Sequence, residues 1–150
     1  MLWRALFAFL ALPGMVAFVI PLWVARPLDA HRFNLPGLIP LCIGLIALLW
    51  CVRDFYLAGK GTLAPWTPPR NLVSVGLYRV TRNPMYLSVL LILCGWALGF
   101  RLRALWMYAG GVLILFYIRV VGFEEPWLAR THGEAWTRYR ARVPRWLVRF

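Results

Sequence analysis

Four stretches of the chain stay apolar for about the length that a helix needs to cross a bilayer. A hydrocarbon core about 30 Å thick is spanned by roughly 20 mostly apolar helical residues. Residues 5–25 and 33–52 carry no charge, residues 83–100 carry none, and 104–123 is interrupted only by Arg119. This pattern predicts an all-α integral membrane protein with about four transmembrane helices, in a single membrane-embedded domain covering 1–150. Little more than Arg101-Leu102-Arg103 separates the third span from the fourth, which forces an antiparallel hairpin. Pro13-Gly14 and Pro21 predict a kink in the first helix, and Pro40 a mild bend early in the second. Gly95 and Gly99 form a small-xxx-small pair with Gly110-Gly111 in the neighbouring helix; this reads either as close packing in lipid or as glycine at ordinary frequency.

Two polar segments interrupt the pattern. The first is a loop over 58–82, where Pro65, Pro68 and Pro69 exclude a regular helix. The second is an aromatic, basic and helical tail over 124–150. With 62% hydrophobic residues, a soluble reading leaves almost no polar sequence to cover the core. Cleavage of the first run after Ala25 or Ala17 would put Trp23 or Met15 at −3, where a small residue is needed, and the run is longer than a typical signal core, so it reads as a retained anchor.

The net charge of +12 suggests nucleic acid only until its distribution is considered. With four spans, the N-terminus, the 58–82 loop and the tail share one side. That side holds all of the 17 basic residues except Arg26, Arg32, Arg101 and Arg103. The positive-inside rule then makes both termini cytoplasmic, and the basic face suits anionic headgroups rather than nucleic acid. Lys60 is the one lysine among the basic residues, which points to a GC-rich bacterial genome and hence to the bacterial inner membrane.

Candidate chemistry is confined to a few residues. Two of the five acidic residues, Glu124 and Glu125, stand together between the fourth span and Pro126. Proline favours the first turn of a helix, so the triplet reads as a junction between two helices. The glutamates either complement a helix dipole or serve a site at membrane depth. Arg119 either snorkels to the interface or contacts a substrate carboxylate or phosphate. Asn83-Pro84 suits a turn or a helix cap, with Pro84 opening the third span and Tyr78 and Tyr86 beside it at the membrane boundary. Cys42, Cys51 and Cys94 have no metal-ligand spacing, His31 lies on the far side by topology and His132 in the tail lacks a ligand partner, so no metal site is expected.

Taken in order, Gly61-Thr62 before the proline-rich stretch, Gly76-x-Tyr78, Arg82-Asn83-Pro84-x-Tyr86, Glu124-Glu125-x-x-Leu128 and Gly133 through Tyr139 to Val143-Pro144-Arg145 resemble a known group. It is the isoprenylcysteine carboxyl methyltransferase and phospholipid methyltransferase family, and the resemblance runs from about Gly59 to Trp146. It implies an S-adenosyl-L-methionine site on the cytoplasmic side. The family's cofactor contacts match Arg70, Asn71, Leu72 and Val73, then Tyr78, then Asn83, Pro84, Met85 and Tyr86, and finally Glu124. Asn83 stands where many members have histidine. An arginine that contacts substrate in the isoprenylcysteine enzymes lies four residues before the first glutamate; here Val120 is at that position and Arg119 one earlier. Arg119 and Glu125 are the candidate substrate contacts.

Methyl transfer suits this residue inventory, because the cofactor carries the reactive group and the protein has to align donor with acceptor. The expected partners are the lipid bilayer and a lipophilic or lipid-modified substrate, with the oligomeric state open. Two other classes stand against an enzyme. A small four-helix transporter needs an ionisable residue near the midplane, and the first three spans have none. A non-enzymatic membrane scaffold subunit would use the polar segments to bind partners. Cofactor binding discriminates both from a methyltransferase.

Overall fold

The computed structural model describes residues 10–26, 33–59 and 71–147, and every regular element among these is helical. Helix α1 covers residues 10–25, π-helical over Leu10–Val19 and α-helical over Ile20–Ala25. Helix α2, Leu38–Gly59, is entered through a 3-10 turn at Leu35–Gly37. A second 3-10 turn, Gly76–Arg79, leads into α3, Pro84–Phe100. Helix α4, Arg103–Arg119, passes through a π-turn, Val120–Glu124, into α5, Glu125–Arg142. The Glu124-Glu125-Pro126 junction is therefore a local widening within one helical run, not a break. The proline-rich stretch, Lys60 to Arg70, lies outside the described residues.

Among the described residues, Leu35–Gly59 and Arg103–Arg142 are long and apolar enough to cross a membrane; Pro13–Ala25 and Pro84–Phe100 are shorter apolar helices. The outer surface is apolar too. Trp23, Leu35, Ile39, Ile46, Met107 and Leu115 are between 63% and 79% exposed. Apolar side chains facing outward over several helices are a surface that water disfavours and lipid tolerates.

Helix α3 is the axis of the bundle. Its Val89, Ile92 and Leu93 meet Ala17 of α1, Leu48 of α2 and Ala109 and Val112 of α4 in one core. Its largest interface is with α2, and glycine explains why. A Cβ on Gly37 would overlap the backbone of Gly95 and Gly99, and one on Gly95 would lie 2.7 Å from Leu41 N. The small-xxx-small pair thus packs on α2 rather than on Gly110-Gly111. Those two glycines face outward with nothing near them. In lipid, where apolar contact alone gives helices little reason to associate, close backbone approach of this kind supplies the van der Waals energy.

Pro21 explains how α1 is tied down. It has no N–H, so Ala17 O lacks its i+4 donor and Val16 O its i+5 donor in the π-helical stretch. Side chains from the next two helices fill both places: Trp96 Nε1 donates to Ala17 O at 2.8 Å and Tyr108 OH to Val16 O at 3.0 Å. A buried carbonyl without a donor is costly in lipid, and here that need fixes where α1 docks.

Candidate functional site at the Asn83–Glu124 end of the hairpin

The turn at Arg101-Leu102 makes α3 and α4 antiparallel, so the start of α3 and the end of α4 share one end of the bundle. There Tyr86 of α3 donates its phenolic hydrogen to Glu124 Oε1. Arg119 Nε donates to the same carboxylate oxygen at 2.9 Å and to Tyr86 OH at 3.1 Å. The Tyr86 ring rests on Phe116, with centroids 4.4 Å apart. Tyr86 thereby joins Arg119 and Glu124, 33 and 38 residues further along the chain, in one polar cluster at the edge of an apolar core.

The π-turn makes this cluster possible. In a regular α-helix, residues i and i+5 point about 140° apart. The extra residue held in Val120–Glu124, where Glu125 N bonds Val120 O, brings Arg119 and Glu124 onto one face. Single π-turns inside α-helices often mark functional sites. A five-residue interval across a π-turn presents the guanidinium much as four residues of α-helix would.

Glu125, about 100° further round the helix, belongs to a second network. Arg82 Nη1 donates to its Oε1 at 2.9 Å, while Arg145 reaches it bidentately, Nε to Oε1 and Nη2 to Oε2, both at 2.8 Å. The Arg82 side chain is 9% exposed and that of Glu125 12%. The Arg82 guanidinium carbon also sits 5.4 Å from the Trp136 ring centroid. Burial pulls the Arg82 pKa below its ordinary value and the Glu125 charge opposes that, leaving it charged. The hydrogen bond to Glu125 raises that of Arg145.

This ion cluster sews the tail to the start of α3. After α5, Arg82 N bonds Pro144 O at 2.9 Å, while Thr81 Oγ1 and Asn83 Nδ2 both donate to Arg145 O, at 3.1 and 2.9 Å. Asn83 occupies the N-cap position of α3 but makes no side-chain capping bond. The cap position is the one its place before Pro84 predicts, but the amide is spent on the returning tail. Tyr139 OH donates to Tyr78 O at 2.7 Å, which adds α5 to the same assembly.

Tyr78 is buried against Cys51 and Val73. Burial raises its pKa well above the ordinary value, with Cys51, Tyr139, Glu124 and Tyr86 adding to the effect, so its phenol stays protonated. Gly76, at φ 55°, lets the preceding turn pass close to α2; a Cβ there would overlap the Asp54 carboxylate.

Tyr78, Asn83, Pro84, Met85, Tyr86, Arg119, Glu124 and Glu125 thus gather at one end of the bundle. Val73 packs nearby with Tyr78, and Asn71 ties to the end of α2 through its N–H to Gly59 O at 3.3 Å. Leu72 lies between them, half-buried; Arg70 lies outside the described residues. Arg119 and Glu125 do not share a site: one pairs with Glu124 and the other with Arg82 and Arg145. Reading the sequence passed over Arg82, Arg145, Trp136 and Tyr139 as site residues. The signal was present in the pair of glutamates opposite a basic tail, with no way to see which arginine would reach them.

Comparison with known proteins matches this organisation to one family model. The phospholipid methyltransferase model covers residues 36–135, from the entry of α2 through the π-turn into α5. No curated protein and no solved structure matches the chain. The matched span includes Tyr86, Arg119 and Glu124 and most of the chain, so the chain belongs to the phospholipid methyltransferase family.

Proposed function

We propose that this chain is an integral membrane methyltransferase that uses S-adenosyl-L-methionine and acts on a lipophilic substrate. The family match, together with the Tyr86–Arg119–Glu124 cluster inside it, carries the reading. The residues present fit the cofactor's chemistry. Glu124 offers a carboxylate, 33% exposed, to a cationic sulfonium or ammonium, and Tyr86 and Phe116 offer aromatic faces beside it. Tyr78, held protonated, is a hydrogen-bond donor. In this reading Arg70, Asn71 to Val73, Asn83 and Met85 are further cofactor contacts. When bound, the cofactor supplies an activated methyl group.

The chain's own contribution is alignment and electrostatics. The Arg119 side chain is 52% exposed at the end of an apolar helix, where it meets both the cluster and the lipid-facing surface. In this reading it orients an anionic group on the acceptor: a lipid phosphate, or a carboxylate as in an isoprenylcysteine-type substrate. A carboxylate acceptor is already ionised, so positioning is the main task. Glu125 is occupied by Arg82 and Arg145, and its part is to hold the tail over the site rather than to touch substrate. Four spans, with both termini and the 58–82 loop on the cytoplasmic side of a bacterial inner membrane, give the cofactor a route from water and the substrate one from lipid. A transporter or scaffold has no need of this cluster.

The test is transfer of label from methyl-labelled S-adenosylmethionine into a lipid extract by detergent-purified protein. The label is expected in the organic phase and is expected to fall sharply with Arg119→Gln. A protein that neither transfers label nor binds S-adenosylhomocysteine contradicts the proposal.

A further inference from the structure

The other end of the hairpin carries charge that the family reading does not use. A cavity of about 330 Å³ opens there between the α3–α4 turn and the 3-10 turn before α2. Its walls are Pro36, Ala97, Leu98 and Trp106, and its polar lining comes from Asn34, Arg101 and Arg103. Asn34 is pinned in place, since both its N–H and its Nδ2 donate to Gly99 O, at 2.8 and 2.9 Å. The cavity opens to the outer apolar surface, where Leu98 is 42% and Trp106 46% exposed. By the length of α3, 17 residues, it lies about 25 Å from the Tyr86–Glu124 cluster.

We propose that this cavity binds the phosphate headgroup of an anionic membrane lipid, with Arg101 and Arg103 on the phosphate and the lipid's apolar part along Leu98 and Trp106. Three observations support a bound anion. First, neither guanidinium has an ion pair or side-chain hydrogen bond among the described residues, although both border one cavity with an apolar wall. Second, Arg103 stands in the first turn of α4, which contains no acidic residue. A helix N-terminus disfavours a cation there and favours an anion beside it. Third, Arg101 is the one non-glycine residue at positive φ among the described residues, at φ 54° and ψ 33°. That is the left-handed region glycine adopts without strain and in which it commonly ends a helix. A strained arginine where glycine fits better is a cost that a ligand contact accounts for. The basic residues concentrate at the other end of the chain's topology, so these two are not part of that orientation signal.

The strain supplies a clean variant, because Arg101→Gly removes the charge while relieving the backbone. The full chain in phosphatidylcholine micelles is mixed with brominated phosphatidylglycerol or brominated phosphatidylcholine. Quenching at the cavity is read as the difference between wild type and Trp106→Phe. Both lipids carry a phosphate, but the choline ammonium of phosphatidylcholine offsets its charge, so phosphatidylglycerol is expected to bind about tenfold or more tightly beside two arginines. Arg101→Gly and Arg103→Gln should each bring that ratio down towards one, with thermal stability of Arg101→Gly unchanged or higher. Arg138→Gln, at the opposite end with the same loss of charge, should keep the ratio. Equal quenching by both lipids overturns the proposal, as does an equal loss with Arg138→Gln. Relief of quenching by millimolar inorganic phosphate without lipid selectivity shows a free-anion site and overturns the lipid assignment.

Discussion

Glu125→Gln should unfasten the tail from the bundle. The wild-type carboxylate accepts three charge-assisted bonds of 2.8–2.9 Å, one from Arg82 and two from Arg145. Glutamine keeps the shape and one acceptor oxygen, but its NH2 faces Arg145 Nη2, donor against donor. The Arg82 guanidinium, 9% exposed, is left charged without its counter-ion. Removing one partner of a buried ion pair costs about 3–5 kcal/mol. Arg145 is 30% exposed and the glutamine oxygen still accepts, so about 3 kcal/mol is the expected loss. Because Arg145 O also receives Thr81 and Asn83, residues 143–147 should become sensitive to protease well below the global transition. Thermal unfolding in detergent and limited proteolysis read the two effects separately, and Glu134→Gln on the exposed face of α5 is the reference. If Glu125→Gln is no more destabilising than Glu134→Gln, the clamp does not hold the tail and the argument fails.

Other perturbations test other levels of the structure. Gly95→Leu should prevent assembly of a stable bundle, since its Cβ would already sit 2.7–2.9 Å from Leu41 and Gly37 backbone atoms; Gly110→Leu, in open space, should leave the unfolding temperature almost unchanged. Equal behaviour of the two would remove the α2–α3 glycine contact as a cause of packing. Trp96→Phe should cost about 1 kcal/mol or somewhat more by leaving Ala17 O without a donor. A larger loss of hydrogen-exchange protection in α1 than in α4 is the signature to look for. For topology, cysteines introduced at Thr62 and Ala30 should label from opposite sides of the membrane, with Thr62 cytoplasmic. Labelling of both from the outside refutes the orientation.

The sequence made the hairpin visible because the cause is local. Three residues between two apolar runs leave only an antiparallel connection, and that puts Asn83 and Glu124 at the same end. It also separated Glu124 from Glu125, since adjacent helical residues diverge by about 100°. The π-turn was not legible: nothing in Val-Val-Gly-Phe-Glu distinguishes it from α-helix, because widening is set by what Arg119 and Glu124 meet across the bundle. The partner of Gly95 and Gly99 was misread for a related reason. Sequence neighbours suggested α4, whereas Gly37, nearly sixty residues away, offers the matching absence of side chain. Asn83 looked like a cap from its position before Pro84. Only the return of residues 143–145 along residues 81–83 shows why its amide is used elsewhere. Contacts that depend on chain return are long-range, and no local pattern carries them.

The central claim is that the Tyr86–Arg119–Glu124 cluster holds S-adenosylmethionine, and the most direct measurement is the affinity of S-adenosylhomocysteine for wild type and Glu124→Gln. If Glu124 only complements a helix start, the substitution costs at most about 1 kcal/mol of stability and leaves binding alone. If it contacts the cofactor, a charge-assisted bond of about 1.5–3 kcal/mol is lost, a roughly tenfold to hundredfold rise in Kd. Calorimetric titration of detergent-purified protein, with thermal unfolding followed in parallel, separates the two. The account predicts saturable binding by wild type that weakens at least tenfold in a folded Glu124→Gln protein. Unchanged affinity in that variant, or no binding by wild type, contradicts it.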